Sequence, residues 1–305
     1  MGRAHHGLLL FLVNDPGTLS FTTMPELPEV ETIRRGLIPL CVGKRLHRLR
    51  IGGAYRIIGP YAERRQEAIK LLQGSEISDI SRRAKRLIFH TDGKLALIFQ
   101  LGMTGKFLIT DPEPARRKHT HVTLELDDGL KLRFNDIRRF GKLCFMEQSC
   151  GLEVAMLDAG MGKLGPEPFD MTPTQFRHIL QAQRPIKALL LDQSRIAGLG
   201  NIYADEALHA ARIHPTTPAA KISANKAAEL LKTIVEVLNL SIEHGGTTFS
   251  DFNNPYGDVG EFRKLLKAYG REGEPCYRCS QAIERLILIG RSSHFCPHCQ
   301  REATG

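Results

Sequence analysis

The sequence predicts an α+β chain of several domains, with a β-sandwich first, a helical region second and a four-cysteine hairpin last. Three observations predict it. Between residues 44 and 147 apolar residues recur with period two and are punctuated by turn signals. After the Pro-rich stretch Leu164-Gly165-Pro166-Glu167-Pro168 the spacing becomes helical. Near the C-terminus Cys276 and Cys279, then Cys296 and Cys299, form two C-x2-C pairs separated by sixteen residues, the spacing of a zinc site. A length of 305 residues accommodates about two domains of ordinary size.

Residues 1–23 come first and fit none of these patterns. Arg3, His5 and His6 precede the apolar run 7–13, which imitates a signal peptide, yet Asn14, Asp15 and Pro16 follow without a small-residue cleavage site. The run is far short of the ~20 residues that span a bilayer. The expectation is that residues 1–24 belong neither to targeting nor to the core, and that Met24 opens the structured protein. From Pro28 a helix with early acids is expected to end by Gly43. Strands are expected at 77–80, 87–90, 95–101, 106–109, 122–126, 130–134 and 142–146, with hairpin turns at Asp92-Gly93 and Asp128-Gly129. One helix, 61–72, interrupts them. Many short strands with turn punctuation favour a sandwich over a doubly wound sheet. Beyond the Pro-rich stretch, Thr172-Pro173-Thr174-Gln175 reads as a capping box, and 223–242 as a long amphipathic helix stopped by Gly245-Gly246.

Composition narrows the function. Lys and Arg outnumber Asp and Glu by 42 to 33, for a formal charge of +9 and a pI near 9.3. That excess favours a polyanionic partner, nucleic acid first, with a basic housekeeping enzyme as the alternative. Four thiolates on two turns would close a tetrahedral structural zinc shell and lower the formal charge to about +7. Disulfides are the competing reading, but the odd total of seven cysteines and the lack of an export signal weigh against an oxidising compartment.

Several segments carry candidate chemistry. Gly198-Leu199-Gly200-Asn201 sets a glycine turn and an Asn cap at a helix start, where free N–H groups suit a phosphate or simply close a tight turn. A dinucleotide fold is excluded, because residues 186–191 ahead of it are helical and not a strand. Three basic clusters stand out: Arg82, Arg83, Lys85 and Arg86; Arg116, Arg117, Lys118, His119 and His121; and Arg138 with Arg139. Met103 and Phe140 lie beside them, either as apolar probes of a base stack or as core.

These segments together resemble bacterial formamidopyrimidine-DNA glycosylase. The resemblance is carried by Pro25-Glu26-Leu27-Pro28-Glu29-Val30-Glu31-Thr32, Arg82-Arg83-Ala84-Lys85, Leu101-Gly102-Met103-Thr104-Gly105, 136–141, 164–168, 198–204, Gly245-Gly246-Thr247-Thr248, Tyr269-Gly270-Arg271 and the cysteine hairpin, in family order from Pro25 onward. It implies a bilobal, monomeric enzyme of the bacterial cytoplasm, associated with the nucleoid through DNA binding. The domains would be a β-sandwich over 25–157, a linker over 158–170, a helix-two-turns-helix domain over 171–270 and a zinc finger over 271–301. It also implies excision of 8-oxoguanine and formamidopyrimidines from duplex DNA, then strand cleavage by β,δ-elimination.

By the same resemblance Pro25 is the nucleophile, Glu26 the proton donor, Lys85 the donor in β-elimination and Arg291 its counterpart in δ-elimination. His119 and Arg138 contact DNA. Met103, Arg138 and Phe140 fill the gap left by the flipped nucleotide, Asn201 binds phosphate, and Cys276, Cys279, Cys296 and Cys299 hold one structural zinc. The chemistry is coherent: an α-amine with a pKa near 8 is about a tenth neutral at pH 7, against about 0.04% for a lysine. A secondary amine attacking the sugar C1′ gives an iminium, an electron sink for elimination. Inside a chain, however, the Pro25 nitrogen is a resonance-locked amide. Translation from Met24 with removal of that Met, or cleavage of the preceding residues, is therefore expected.

Two positions depart from the family pattern. Gln100 stands where a His is frequent, and Ala182 where some members carry a basic DNA contact that Arg184 could replace. Two other functions remain open at this point: a pyrimidine-preferring enzyme of the endonuclease VIII type, and a non-catalytic zinc-finger protein that binds damaged DNA.

Overall fold

A computed structural model describes residues 24–52, 55–110, 118–247 and 260–302; the expectations for residues 1–23, Arg116, Arg117 and Thr248 lie outside these. The first helix, α1 (Leu27–Cys41), has Pro28 in its first turn, and the Glu26 N–H ahead of it donates to Glu29 Oε2 at 2.9 Å. It buries Leu27, Val30, Ile33, Leu37 and Cys41, one stripe at helical spacing, and gives way to Gly43 at φ +82°.

The strands follow in chain order: β1 (Leu46–Ile51), β2 (Ile57–Ile58), β3 (Ile77–Arg83), β4 (Arg86–Thr91), β5 (Leu95–Gln100), β6 (Gly105–Thr110), β7 (Thr120–Leu126), β8 (Lys131–Asp136) and β9 (Lys142–Glu147). They form two sheets, β1-β7-β8-β6 and β2-β9-β5-β4-β3, as the period-two pattern predicts. Every neighbouring pair is antiparallel except β2 on β9. Between the sheets Phe89, Phe99, Phe107 and Phe134 interlock with ring centroids 5.0–5.7 Å apart. Each is fully buried, worth about 1.5–3 kcal/mol of transfer free energy. Central β4 and β5 lose the alternation because their outer faces are covered too: Ile88, Ala96 and Ile98 pack under Met156 and Met161.

Two details differ from expectation. Strands β1 and β2 are not in the predicted set. The helix expected over 61–72 is α2 (Arg65–Leu72), shorter at its start. Tyr61 donates its hydroxyl to Glu147 Oε1 at 2.7 Å and lies 4.7 Å under the Arg64 guanidinium, which ties the chain to β9 before the helix can begin.

Helix α3 (Leu152–Asp158) covers the outer face of the sandwich, and the helical half holds α4 (Pro173–Ile179), α5 (Ile186–Leu190), α6 (Asn201–Ala210) and α7 (Ala224–Glu243). The capping box is present, with Thr172 Oγ1 accepting from Gln175 N–H at 3.2 Å and Thr172 N–H donating to Gln175 Oε1 at 2.8 Å. Helix α7 ends as its Gly pair predicts: Gly246 N–H donates to Ser241 O at 2.8 Å, with both glycines at positive φ. Its stripe of Leu230, Ile234 and Leu238 packs on Tyr203 and Phe262. The Pro-rich stretch is not loosely held, since Gly165 N–H donates to Gln193 O at 2.8 Å and Glu167 is buried. A final hairpin, β10 (Glu284–Leu288) and β11 (Arg291–Phe295), joins the two C-x2-C turns. Among the described residues no helix is long and apolar enough to cross a membrane.

Candidate active site

The N-terminal residues, the β3–β4 turn, the start of α6 and the β10–β11 turn converge on one cavity of about 850 Å³. Pro25, Glu26, Lys85 and Arg291 all line it, although they come from distant parts of the chain. Met103 and Asn201 line it too.

Glu26 sits at the seam. Its Oε1 accepts the Ile202 N–H at 3.2 Å, so the start of α6 receives this carboxylate. The approach requires glycine: a Cβ on Gly200 would fall 2.2 Å from Glu26 Cδ. The N-cap of α6 is therefore Gly200, and Asn201 is the first helical residue; the expected Asn cap is one position off. The free N–H groups expected there for a phosphate are turned to Glu26 at Ile202. The Asn201 side chain donates to Ser292 O at 2.9 Å.

Burial raises the Glu26 carboxyl to about 7, with Glu29 pushing the same way and Lys85 and the Ile202 N–H opposing. Lys85 is partly buried. Desolvation pushes its ammonium below the usual lysine value and Arg291 adds to this, while Glu26 and Glu29 resist. Glu29, one turn along α1, accepts from the Tyr203 hydroxyl and from Thr247 N–H at 2.8 Å. The acid beside the cavity thus also holds the chain just past the glycine stop of α7.

The first basic cluster does not line up as a groove surface. Arg82 pairs with Glu31 at 3.2 Å and Glu167 at 2.8 Å. Arg83 pairs with Glu153 at 2.8 Å and Glu167 at 3.3 Å. Arg86 is buried and donates to the Met161 carbonyl. Glu167 also accepts the Ala84 N–H at 2.6 Å, while Ala84 sits at φ +52°. Ion pairing across the sandwich and the Pro-rich stretch, not a bound polyanion, accounts for Arg82 and Arg83.

Asp136, fully buried, organises the loops beside the cavity. Its carboxylate accepts from Thr104 Oγ1 at 2.5 Å and from Gly141 N–H at 2.8 Å. Thr104 Oγ1 in turn accepts Arg138 N–H at 3.0 Å, so the Met103 turn and the 138–141 loop share one anchor. They also touch directly, since a Cβ on Gly102, at φ +69°, would fall 2.6 Å from Gly141 N. Phe140 is 52% exposed under the Arg138 guanidinium at 4.8 Å, which removes it from the core; Met103 is half-buried. His119, Arg138 and Phe140 are not in the cavity lining. They stand on this Asp136-anchored loop cluster, where Asp136 N–H donates to His119 O at 3.1 Å. His121 is drawn inward, stacked on Tyr55 at 5.1 Å with Nε2 2.8 Å from the Asp136 carbonyl oxygen. Arg184 pairs with Asp192 at 3.0 Å.

At the C-terminal end the four Sγ atoms of Cys276, Cys279, Cys296 and Cys299 lie within 4.8 Å of one another. A tetrahedron with Zn–S bonds of about 2.3 Å has edges of about 3.8 Å, so the thiolate set fits one structural zinc. This metal holds the hairpin that carries Arg291. A buried pair, Lys187 Nζ to Asp205 Oδ1 at 2.6 Å, docks the same hairpin, with Lys187 also donating to Ser292 O at 2.7 Å.

Sequence reasoning missed Asp136, Glu167 and Lys187 as organisers. Asp136 and Glu167 lie inside motifs already singled out. For Lys187 no local signal exists.

A β-sandwich and a helical domain meeting at a cavity, closed by a four-thiolate hairpin, define a DNA glycosylase of base excision repair. The matches run along nearly the whole chain: residues 24–143 match the formamidopyrimidine-DNA glycosylase N-terminal domain, 164–253 its H2TH domain, and 273–301 the zinc finger found in FPG and IleRS. The chain is 45% identical over 281 residues to the formamidopyrimidine-DNA glycosylase of Herpetosiphon aurantiacus, covering 91% of this chain and 100% of that one. Among solved structures it is similar to the MutM (Fpg) protein of Thermus thermophilus, at 40% identity and a TM-score of 0.78 over 92% of this chain and 100% of that one. It is also similar to Lactococcus lactis Fpg in complex with an abasic site containing DNA, at 34% identity and 0.82 over 91% and 100%. The chain belongs to the formamidopyrimidine-DNA glycosylase family.

Proposed function

We propose that this enzyme excises oxidised purines from duplex DNA through an iminium formed at Pro25, and then cleaves the abasic strand by β,δ-elimination. The observation that carries the reading is the convergence of Pro25, Glu26, Lys85 and Arg291 on one cavity. The Pro25 nitrogen attacks C1′ of the flipped nucleotide as the base leaves, and loss of the ring oxygen bond gives the iminium. Glu26, its carboxyl raised by burial to about 7, moves the protons in both directions. Lys85 is the proton donor in β-elimination, which breaks the C3′–O3′ bond, and Arg291 serves the later δ-elimination, which breaks the C5′–O5′ bond. Met103, Arg138 and Phe140 fill the vacated duplex, His119 and Asn201 hold the backbone, and Arg138 reads the orphaned base.

The reading requires a free amine at Pro25, so Met24 and everything before it must be removed from the working enzyme. The domain limits follow the same division, 25–157, 158–170, 171–270 and 271–301, and the enzyme acts on the nucleoid in the cytoplasm. Borohydride trapping on an 8-oxoguanine duplex tests the mechanism. A covalent adduct is expected with the chain that begins at Pro25 and not with Pro25→Gly. An equally active enzyme that retains Met1 overturns the nucleophile.

A further inference from the structure

Resting on that functional reading, we infer that Lys142, with Gln100 across the strand, forms a phosphate-binding subsite on the wall of the active-site cavity. Gln100 ends β5 and Lys142 begins β9, and the register pairs them directly, so their side chains share one face of the sheet. Both line the cavity with Pro25, Glu26 and Lys85.

The charge around Lys142 is one-sided. The groups that act on its ammonium are Arg56 and Arg86, both cations, and it makes no ion pair among the described residues. Arg86 is committed to the Met161 carbonyl and cannot serve a ligand, whereas Lys142 is half-buried with its ammonium unassigned. Exposed Lys163 lines the same wall. A part-desolvated lysine among cations is unfavourable unless an anion completes it. A backbone phosphate of the strand entering the cavity has the charge and the acceptor oxygens to do so, with the Gln100 amide as a second, neutral donor. Arg82 and Arg83, in the neighbouring basic cluster, already have carboxylates and do not line the cavity. Lys142 is thus a cation of the cavity wall to which the described residues bring no anion of their own.

The subsite is tested by binding, not by turnover, so that it stands or falls apart from the Pro25 chemistry. The full zinc-loaded enzyme is titrated with a duplex carrying a tetrahydrofuran abasic analogue across a range of salt concentrations. Lys142→Met is expected to weaken binding about tenfold near 0.1 M salt and to reduce the slope of log K against log salt by about one. Lys142→Arg should restore both, and Gln100→Ala should cost two- to threefold with the slope unchanged. Lys232→Met, on the exposed face of α7, is the charge control and should leave the slope as it is. A Lys142→Met enzyme within twofold of wild type at unchanged slope overturns the inference, as does a Lys142→Arg enzyme as weak as Lys142→Met. Failure of wild-type enzyme to trap with borohydride would instead strike the functional reading alone.

Discussion

Two β-hairpins each bring one cation to the cavity, and opposite chemistry holds them. The β3–β4 turn presents Lys85 from the sandwich, fixed by carboxylates: Glu167 spans Arg82, Arg83 and the Ala84 N–H, with Glu31 and Glu153 behind. The β10–β11 turn presents Arg291 from the zinc finger, fixed by thiolates at its base and by Lys187 and Asn201 on Ser292 O. Both turns are two residues long and enter through positive φ, at Ala84 (+52°) and at Ile289 (+47°) with Gly290 (+72°). A tight turn aims a side chain accurately only if the strands behind it cannot move. The sandwich supplies that with an extended core, while the small finger needs a metal. One cation therefore depends on ion pairs and pH, the other on zinc.

The largest expected effect breaks the finger side alone. Cys296→Ser, at a fully buried ligand, should abolish stoichiometric zinc by elemental analysis and weaken lesion-duplex binding by about 100-fold or more, because structural zinc supplies roughly 10–16 kcal/mol in small fingers. The Phe89–Phe134 core should still unfold cooperatively in urea. Next, Glu167→Gln should destabilise the sandwich side by about 2–4 kcal/mol in urea unfolding, since it removes a counter-charge shared by two poorly exposed guanidiniums, and should lower turnover with zinc content unchanged.

Acidity separates the hairpins more gently. The folded Glu26 carboxyl lies near 7, above its unfolded value, so its contribution is complete below about 4.5 and is lost as pH rises through 7. The Tm of Glu26→Gln should therefore gain on wild type as pH goes from 4.5 to 7. A constant Tm difference would contradict the raised carboxyl. The smallest effect lies at the finger tip: Ile289 is a β-branched residue in the left-handed region, 56% exposed, where Asn is preferred. Ile289→Asn should stabilise the zinc-bound hairpin by about 1 kcal/mol in thermal unfolding, and a loss of stability would show that the side chain, not the backbone, governs this turn.

The basic clusters show where sequence reading stops. Arg82, Arg83 and Arg86 look the same on paper as Lys85, yet acids hold the first two away from the cavity, and of the two that line it Arg86 is committed to a carbonyl. Their partners lie far off: Arg82 and Glu167 are 85 residues apart. Phe140 could be core or probe by pattern, and only its exposure decides. Lys142 carries no motif; it acquires meaning from its register with Gln100.

By itself the sequence determined whatever depends on near neighbours: the alternation of the sandwich strands, the capping box of α4, the glycine stop of α7 and the two C-x2-C turns. These follow from backbone periodicity and local hydrogen bonding, which act over a few residues. Tertiary structure alone decided which charges meet. Glu26 and Ile202 are 176 residues apart, and the carboxyl near 7 exists only because folding buries that acid against a helix start, Glu29 and Lys85. Desolvation and Coulomb energy depend on distance in space and on excluded water, and neither quantity is written along the chain.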